Sequence, residues 1–534
     1  MRVQVAVVGG GPVGLLIAAE LAAFGVDTVV LEARDDVSEQ PKATTLHARA
    51  VQCLARRGRL PEGGFGGSVS GSFGGASGGC FAGGSSAADF HFAGVPGLVI
   101  TVPEGEPVPI LKCPQAELER LFERQARAAG ARVLRGHAVT GLVEEPDAVV
   151  VTAAGPAGPV SCIAQYVVGA DGARSLVREL AGIASDTYPA TVSALAGQAR
   201  LVDPGALSPG WHRTPRGWLA AKPDADGSLH LRTLDCAGAQ GERGAAPTPE
   251  ELEREVSRIA GRDIRLAEPR WLSRFSDFTR LARRFRAGRI LLAGDAAHVH
   301  FPIGGQGLST GVLDAVNLGW KLALTVRGEA GAELLDSYDR ERRPAARRVI
   351  ENTRAQLGLM RPVPEGDEVA RMLGAVLADG GGEGLAGMVS GQDTVYERWV
   401  GSADAVRSRG GEGTFLANAR LHTGGHRGGA ETDLIGMLRG GGPVLLVLGG
   451  SVPDLYEELV RPWGGTVRVV RARAAAAVPY GAVLVRPDGY VGWAEAEGGG
   501  GGEGLREALA AYFGARCGEL AVVGRPPYLR DSFG

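Results

Sequence analysis

"VQVAVVGGGPVGLLIAAELAAFG", residues 3–25, reads as a buried strand, a glycine-rich turn and a helix in direct succession. The β-branched run before Gly9 is typical of a parallel strand that is covered on both faces. Gly9, Gly11 and Gly14 have the spacing that lets a pyrophosphate approach the positive end of the following helix. A second apolar run, "DTVVLEAR", contains Glu32, whose carboxylate can accept hydrogen bonds from a ribose hydroxyl. This order predicts binding of an adenine dinucleotide, either FAD or NAD, because the carboxylate would repel the 2'-phosphate of NADP.

Two later segments also place an aspartate just after an apolar strand. "YVVGADGARSLVR" (166–178) contains Asp171 in an Asp-Gly pair. "AGDAAHVHFPIGGQGLSTGVLDAVNLGWKLA" (293–323) contains Asp295, and Pro302 and three glycines then precede an evident helix. An NAD-dependent dehydrogenase needs neither segment. Unconstrained backbone at a helix start, directly behind an aspartate, indicates that a ligand lies against it.

With these three motifs in this order, the chain resembles the class A flavoprotein aromatic hydroxylases, which share the p-hydroxybenzoate hydroxylase-type fold. The resemblance covers nearly the whole chain. It implies an α/β fold, with a Rossmann-like (GR2-type) FAD-binding domain interleaved with a mixed β-sheet substrate domain, and a C-terminal thioredoxin-like α/β domain. We expect the FAD-binding domain at 1–184, where residues around 85–113 form part of the substrate sheet, and the substrate-binding sheet domain at 185–275. The FAD-binding domain and long helices should continue over 276–400. The thioredoxin-like domain, which lacks a CxxC motif, should occupy 401–534.

The resemblance also implies which residues hold FAD. The residues expected to bind it are Gly9, Gly11, Pro12, Gly14, Glu32, Ala33, Arg34, Arg49, Gln115, Asp171, Gly294, Asp295, Pro302, Gly305, Gln306, Gly307, Leu308 and Ser309. Arg49 would contact the phosphate and ribityl region, and Asp295 would hydrogen-bond a ribityl hydroxyl. Pro302, Gly304 and Gly305 would line the isoalloxazine, where the following helix N-terminus favours negative charge. No catalytic side chain is assigned, because the chemistry is mostly the cofactor's.

Several of these residues have other interpretations. Arg49 is compatible with a surface position on an amphipathic helix, Gln115 with the N-terminal turn of a helix, and Asp171 with a turn that Asp-Gly forms unaided. His298 and His300 are two residues apart without a third ligand nearby, which favours packing or pocket lining over metal binding. No metal is expected.

The activity implied by the resemblance is an FAD-dependent, NADPH-consuming monooxygenase that hydroxylates a polycyclic aromatic polyketide. NADPH or NADH would reduce FAD, and O2 would add at flavin C4a to give a hydroperoxide that an electron-rich ring attacks. Within the class, "AEPRWLSRFSDFTR" (267–280) and "LVRPDGYVGWA" (484–494) are among the stretches similar to bacterial angucycline-type hydroxylases. Ser309, Lys42 and Thr44–Thr45 depart from the usual pattern, which leaves the oxygenated position open. Baeyer–Villiger insertion, rifamycin-type drug inactivation and a non-catalytic flavin-binding scaffold are alternatives.

Composition excludes other classes of partner. The net charge of -3 provides no basic field for nucleic acid. No apolar stretch approaches the roughly 20 residues that span a bilayer, and the chain opens without a signal-like segment. The six cysteines are scattered, as in a reducing cytoplasm, where we expect the protein. The resemblance is compatible with a homodimer.

Two further features concern the ligand pocket. Trp211, Trp218 and Trp271 fall in or near the expected substrate domain, where each could stack on a polycyclic ligand or belong to the core. The glycine-rich segment 63–86, which contains Phe65, Phe73 and Phe81, predicts either a flexible loop or a mobile pocket wall.

Overall fold

A computed structural model describes residues 1–40, 42–61, 86–238, 246–397, 411–423, 430–448, 453–475, 478–497, 501–502 and 504–515. The glycine-rich segment 63–86 lies outside these residues except for its last member, so its two interpretations remain predictions.

The strands are short and fall into six sheets. Those of the first half are β1 (Arg2–Val8), β2 (Thr28–Leu31), β3 (Thr45–His47), β4 (Ala87–Phe92), β5 (Val95–Thr101), β6 (Ile110–Lys112), β7 (Arg132–Leu134), β8 (Ala138–Glu144), β9 (Val149–Gly155), β10 (Gly158–Gly169), β11 (Ser185–Tyr188), β12 (Ser193–Leu201), β13 (Gly210–Thr214), β14 (Gly217–Pro223) and β15 (Leu229–Asp235). The others are β16 (Leu266–Ser276), β17 (Thr279–Ala282), β18 (Arg286–Ala287), β19 (Ile290–Leu292), β20 (His298–Val299), β21 (Arg420–Thr423), β22 (Ala430–Asp433), β23 (Val444–Leu448), β24 (Arg468–Ala474), β25 (Tyr480–Val485) and β26 (Val491–Ala496).

The α-helices vary from one turn to seven. They are α1 (Pro12–Ala23), α2 (Ala48–Arg56), α3 (Gln115–Ala128), α4 (Leu176–Leu180), α5 (Pro249–Ala260), α6 (Gln306–Val326), α7 (Asp336–Met360), α8 (Pro364–Ala378), α9 (Glu383–Ser390), α10 (Leu434–Leu438), α11 (Pro453–Val460) and α12 (Leu505–Phe513). Within the described residues, no helix is both long enough and apolar enough to cross a membrane.

The first sheet brings the three motifs of the sequence together. Its main path has the order β18-β19-β10-β1-β2-β7, and β1, β2, β7, β10 and β19 run parallel. The strands β1, β10 and β19 therefore end at the same edge, so the segments after Val8, Gly169 and Leu292 meet there. Ligands bind at this edge in open parallel sheets.

Close packing of helices on this sheet depends on small residues. A Cβ atom at Gly14 of α1 would lie 2.0 Å from the Gly9 carbonyl oxygen, and one at Gly311 of α6 would lie 2.6 Å from Val13. The strands that these helices cover are buried on both faces, as their β-branched runs predict.

A five-stranded antiparallel sheet, β13-β14-β15-β12-β16, forms the second domain. Its side chains alternate, and one face packs Leu195, Leu219 and Leu231 against Leu252 and Val256 of α5. The expectation that residues around 85–113 contribute to this sheet is wrong. Among the described strands, β4 and β5 pair only with each other, and Ala93 and Gly94, both with positive φ, form the turn of this separate hairpin.

The carboxyl-terminal part is an α/β unit with a six-stranded sheet of order β22-β21-β24-β23-β25-β26. Its central strand β23 is buried throughout and pairs in parallel with β24 and in antiparallel with β25. Trp493, Leu505 and Leu509 pack with Trp320 and Leu324 of α6. The unit therefore shares a hydrophobic core with the first domain.

Candidate functional site

One large cavity of about 1520 Å³ lies between the carboxyl edge of the first sheet and the five-stranded sheet. Fourteen of the predicted site residues line it: Gly9, Gly11, Pro12, Glu32, Ala33, Arg34, Gln115, Asp171, Asp295, Pro302, Gly304, Gly305, Gly307 and Leu308. The three segments that are distant in the sequence therefore face one space.

The turn after β1 is shaped to admit a ligand against its backbone. Gly9 has φ 107°, and a Cβ atom there would lie 2.4 Å from the Ala170 carbonyl oxygen. A Cβ atom at Gly11 would meet no heavy atom within 4 Å, so this side of the turn is open. Gly11 precedes α1, and no described side chain caps that helix. The unsatisfied N–H groups of the first turn are therefore available to an anion such as a pyrophosphate.

Glu32 is held at the end of β2 by backbone hydrogen bonds. The Gly10 N–H donates to Glu32 Oε2 at 2.5 Å, and the Arg34 N–H donates to Oε1 at 2.9 Å. These contacts fix the carboxylate at the cavity wall, where its remaining lone pairs can accept from ribose hydroxyls.

Asp171 and Asp295 each present carboxylate oxygen that the protein does not satisfy. Asp171 Oδ2 accepts from the Val177 N–H at 3.0 Å, whereas Oδ1 is buried without a hydrogen-bond partner among the described residues. Asp295 has accessible surface, and this surface faces the cavity. Burial among the surrounding atoms raises the pKa of Asp295, which His298 and Lys42 partly offset. Both carboxylates can accept hydroxyl hydrogen bonds from a ligand.

The backbone from Pro302 to Gly307 forms the opposite wall. Gly304 and Gly305 have φ of 73° and 64°, conformations that favour glycine. They turn the chain into α6, whose N-terminus is not capped by any described side chain. A 21-residue helix thus directs its positive end into the cavity.

His47, which the sequence interpretation missed, positions this wall. Its Nε2–H donates to the Gly304 carbonyl at 2.7 Å, and its backbone N–H donates to Ser309 Oγ at 3.0 Å. Burial lowers the pKa of His47 to about 4, so the imidazole is neutral at neutral pH. The residue precedes α2 in an ordinary apolar stretch, and no local signal distinguishes it.

Five predicted residues do not line the cavity. Arg49 is one of them, so its contact with the cofactor stays a prediction that the cavity lining does not support. Its guanidinium donates to the Gln392 carbonyl at 2.7 Å and to Gln52 Oε1 at 2.9 Å, and lies 3.7 Å from the centre of the Phe415 ring. Gln392 and Phe415 come from distant segments, which the sequence could not place.

The other four have structural roles. Gln306 turns its amide away from the cavity, donating to the Met388 and Val389 carbonyls at 3.2 Å and accepting from Asn352 at 2.7 Å. Ser309 holds His47, Gly294 packs against Val13, and Gly14 packs against Gly9. For these residues, only the backbone can face a cofactor.

Gln115 lines the cavity at the start of α3 and donates to Glu119 Oε1 at 2.8 Å. His298 and His300 do not share a site: His298 Nε2 is 2.6 Å from Asp314 Oδ2, whereas His300 lines the cavity and Nδ1 donates to the Phe301 carbonyl. Among the described residues, no group of three or more His, Cys, Asp or Glu side chains could hold a metal ion.

The geometry fits FAD. Two uncapped helix N-termini, an open glycine turn and two carboxylates with unsatisfied oxygens face one elongated cavity. Trp211, Trp218 and Trp271 also line it, on the side of the five-stranded sheet. Lys112, Lys222 and Arg232 line it as well, and sequence analysis did not single them out.

The sequence matches two families along its length. Residues 2–353 match the FAD binding domain family, and residues 410–515 match the family described as aromatic-ring hydroxylase, C-terminal. The first match alone covers more than half of the chain.

Similar proteins span the full chain. It is 35% identical over 524 residues to a rifampicin monooxygenase of Streptomyces venezuelae, covering 96% of this chain and 99% of that protein. The solved structure of OxyS anhydrotetracycline hydroxylase from Streptomyces rimosus has a TM-score of 0.81 and 34% identity, covering 97% and 100% of the two chains. CabE, an aromatic hydroxylase from angucycline biosynthesis, has the same TM-score, identity and coverage. The chain therefore belongs to the class A FAD-dependent aromatic-ring hydroxylases, with FAD as its cofactor.

Proposed function

We propose that the protein is a monooxygenase that hydroxylates a polycyclic aromatic polyketide with NADPH and O2. The observation that carries this proposal is the continuous cavity, in which the FAD-facing backbone and an aromatic sheet face lie opposite each other. The chain's similarity to an anhydrotetracycline hydroxylase and to an aromatic hydroxylase from angucycline biosynthesis supports this substrate class.

The reaction balances as substrate C–H, NADPH, O2 and a proton giving substrate C–OH, NADP+ and water. Bound FAD would accept a hydride from NADPH and activate O2. The protein binds and orients the ring and excludes water from the reaction. The α6 N-terminus would favour negative charge on a flavin ring bound against residues 302–307, by about 0.3–2 kcal/mol.

The residues that we propose for the cofactor are those whose atoms reach the cavity. Gly9 and Gly11 would receive the pyrophosphate, and Glu32 the ribose. Asp171 and Asp295 would accept hydrogen bonds from the cofactor, Asp295 at the ribityl chain. We also propose the homodimer that the resemblance allows, and light scattering of the purified protein tests it.

The test is NADPH oxidation by the yellow holoenzyme with and without polycyclic phenols such as anhydrotetracycline, followed by product mass. We expect stimulated oxidation and a product heavier by one oxygen. Bound FAD with no NADPH oxidation in the presence of any phenol would instead support a flavin-binding scaffold.

Drug inactivation is a second candidate, because the rifampicin monooxygenase resembles this chain as closely as the tetracycline hydroxylase does. Rifampicin in the same assay separates the two. Stimulation by rifampicin alone would favour inactivation over biosynthetic hydroxylation.

A further inference from the structure

The cavity-facing side of the five-stranded sheet is organised in rows that cross the strands. The strand register defines an outer row of Lys222, His230, Gln198 and Trp271, a middle row of Ala220, Arg232, Ala196 and Ser273, and an inner row of Trp218, Leu234, Ala194 and Phe275. Side chains two apart on a strand share a face, so all three rows face the same way.

The inner row lies at the end of the sheet nearest the backbone of residues 302–307, which forms the flavin wall of the cavity. Trp218, Leu234 and Ala194 belong to one apolar cluster with Phe301 and Ile303, and the Phe275 and Phe301 ring centres are 5.9 Å apart. The middle row is small apart from Arg232, which leaves room for a flat ring system. Polarity therefore increases along the sheet away from the flavin wall.

Positively charged side chains lie beyond the inner row, on the side away from the flavin wall. Arg232 and Lys222 line the cavity from the sheet, and Lys112 lines it from β6, where its Nζ donates to Thr45 Oγ1 at 2.9 Å. Burial, and then repulsion from Lys222 and Arg232, lowers the pKa of Lys112 to about 8. Arg232 is exposed to the cavity, and desolvation by the surrounding wall lowers its pKa.

The protein does not neutralise these charges. In the part of the chain that the structure describes, no ion pair with a carboxylate involves Lys112, Lys222 or Arg232. Burial lowers the pKa of Lys222, and the nearby Asp224 only partly opposes this effect. Asp224 Oδ2 already accepts from His230 at 2.9 Å and from Gln198 at 3.0 Å. Three neighbouring cations with no carboxylate in an ion pair repel one another, and an anionic group on a ligand would relieve this repulsion.

We propose, on the basis of the proposed function, that the ring substrate carries an anionic oxygen group, a carboxylate or an acidic enol, which Lys112, Lys222 and Arg232 bind. The rings then lie along the inner and middle rows, and the anionic group points away from the reacting carbon. Charge-assisted hydrogen bonds to an oxyanion are about twice as strong as neutral ones, so the cluster selects this class over neutral polyketides. The cluster thereby fixes which end of the substrate faces the flavin.

The test measures binding to the oxidised holoenzyme, without turnover, from the change in flavin absorbance. One pair of probes is anthraquinone-2-carboxylate and anthraquinone-2-carboxamide, and a second pair is 2-hydroxy- and 2-methoxy-1,4-naphthoquinone. The first pair reports a carboxylate and the second an acidic enol. In at least one pair, we expect the acid to bind about 10-fold or more tightly than its neutral partner.

Variants assign that preference to the cluster. Arg232→Met and Lys222→Met should each weaken binding of the acid by about 10-fold or more, and leave the neutral probe within about twofold. Arg232→Lys should keep most of the preference because it keeps the charge. Arg265→Gln is the matched control, because Arg265 is exposed, pairs with Glu253 and does not line the cavity.

Three results would overturn the proposal. The first is equal binding of acid and neutral probe in both pairs. The second is equal loss of both probes in Arg232→Met. The third is a raised KM for NADPH with unchanged acid binding, which would assign the cations to the nicotinamide cofactor.

Stability separates this role from a structural one. Without ligand, Arg232→Met should unfold at the wild-type temperature or above, because it removes an unpaired charge. Failure of oxygenation leaves the binding result intact, so the two proposals fail independently.

Discussion

Asp295 is the carboxylate with the clearest role at the cavity. It forms no ion pair or hydrogen bond with another described residue, its accessible surface faces the cavity, and desolvation by the surrounding atoms raises its pKa. A ribityl hydroxyl would supply the missing donor. The affinity for FAD should therefore depend on the Asp295 carboxylate.

We expect Asp295→Ala to weaken FAD binding by about 10- to 100-fold, since a hydrogen bond to a charged group contributes about 1.5–3 kcal/mol. The dissociation constant is measured by adding FAD to the apoprotein and following fluorescence quenching. Asp263→Ala is the control, because Asp263 is exposed and lies away from the cavity. Unchanged FAD affinity in Asp295→Ala would remove this residue from the site.

For single residues, the sequence predicted which backbone segments reach the cavity better than it predicted where side chains point. Most of the glycines and aspartates predicted at the strand ends line the cavity, because local spacing determines where a parallel strand delivers them. Arg49 and Gln306 do not line it, because their partners at residues 388–392 lie on a segment that only tertiary packing brings near. Lys112, Lys222 and Arg232 were missed, because an isolated cation on a strand usually faces solvent.

The start of α6 is the element that the cavity depends on most. Gly305 has φ 64°, and a Cβ atom there would make only ordinary contacts, with Thr45 at 3.5 Å and His47 Nε2 at 3.9 Å. A Cβ atom therefore fits at Gly305, and only the left-handed backbone conformation of this residue favours glycine. His47 holds the preceding carbonyl in place.

Gly305→Ala should destabilise the holoprotein by about 1–2 kcal/mol, the cost of a left-handed conformation for a residue with a Cβ atom. Gly305→Asn should recover part of this, because asparagine tolerates that conformation. Both are measured as shifts in the unfolding midpoint in urea.

Gly358→Ala is the matched control within α7, where a Cβ atom meets nothing within 4 Å. It should stabilise the protein by about 0.5–1 kcal/mol, because alanine favours a helix interior. If both alanine variants shift the midpoint in the same direction, the conformational argument for Gly305 is wrong.

Element prediction from the sequence succeeded where periodicity was strong. The apolar runs of the carboxyl-terminal segment predict strands near 443–449 and 466–472, a hairpin at 482–494 and a helix at 504–514. Each has a counterpart in the carboxyl-terminal unit. The two-stranded β4–β5 hairpin was misassigned, because a strand pattern does not specify which sheet the strand joins.

Across the whole molecule, a buried network of charges joins the carboxyl-terminal unit to the flavin domain. Glu341 of α7 accepts from Arg486 through both oxygens at 2.7 Å and from Lys321 of α6 at 2.7 Å. Arg486 also binds Asp488 at 2.6 Å. Burial raises the pKa of Glu341, but Arg486 and Lys321 outweigh this effect and hold the pKa at about 2.

Removing Arg486 should therefore destabilise the whole chain. Arg486→Met leaves two carboxylates under-compensated in the interior, which costs about 3–5 kcal/mol. Arg471→Met is the control, because that arginine is nearly half exposed and pairs with acids at the surface. Thermal unfolding should show a large loss only for Arg486→Met, with FAD affinity unchanged in both. Equal losses would show that the network does not join the two units.

The ends of three strands that are far apart in the sequence should surround one FAD molecule, and a crystal structure of the yellow holoenzyme would show this. We expect one flavin per chain, with its pyrophosphate against residues 9–14, its ribityl chain at Asp295 and its pyrimidine edge against residues 302–307. A flavin bound elsewhere, or purified protein that is colourless and takes up no FAD, would contradict it.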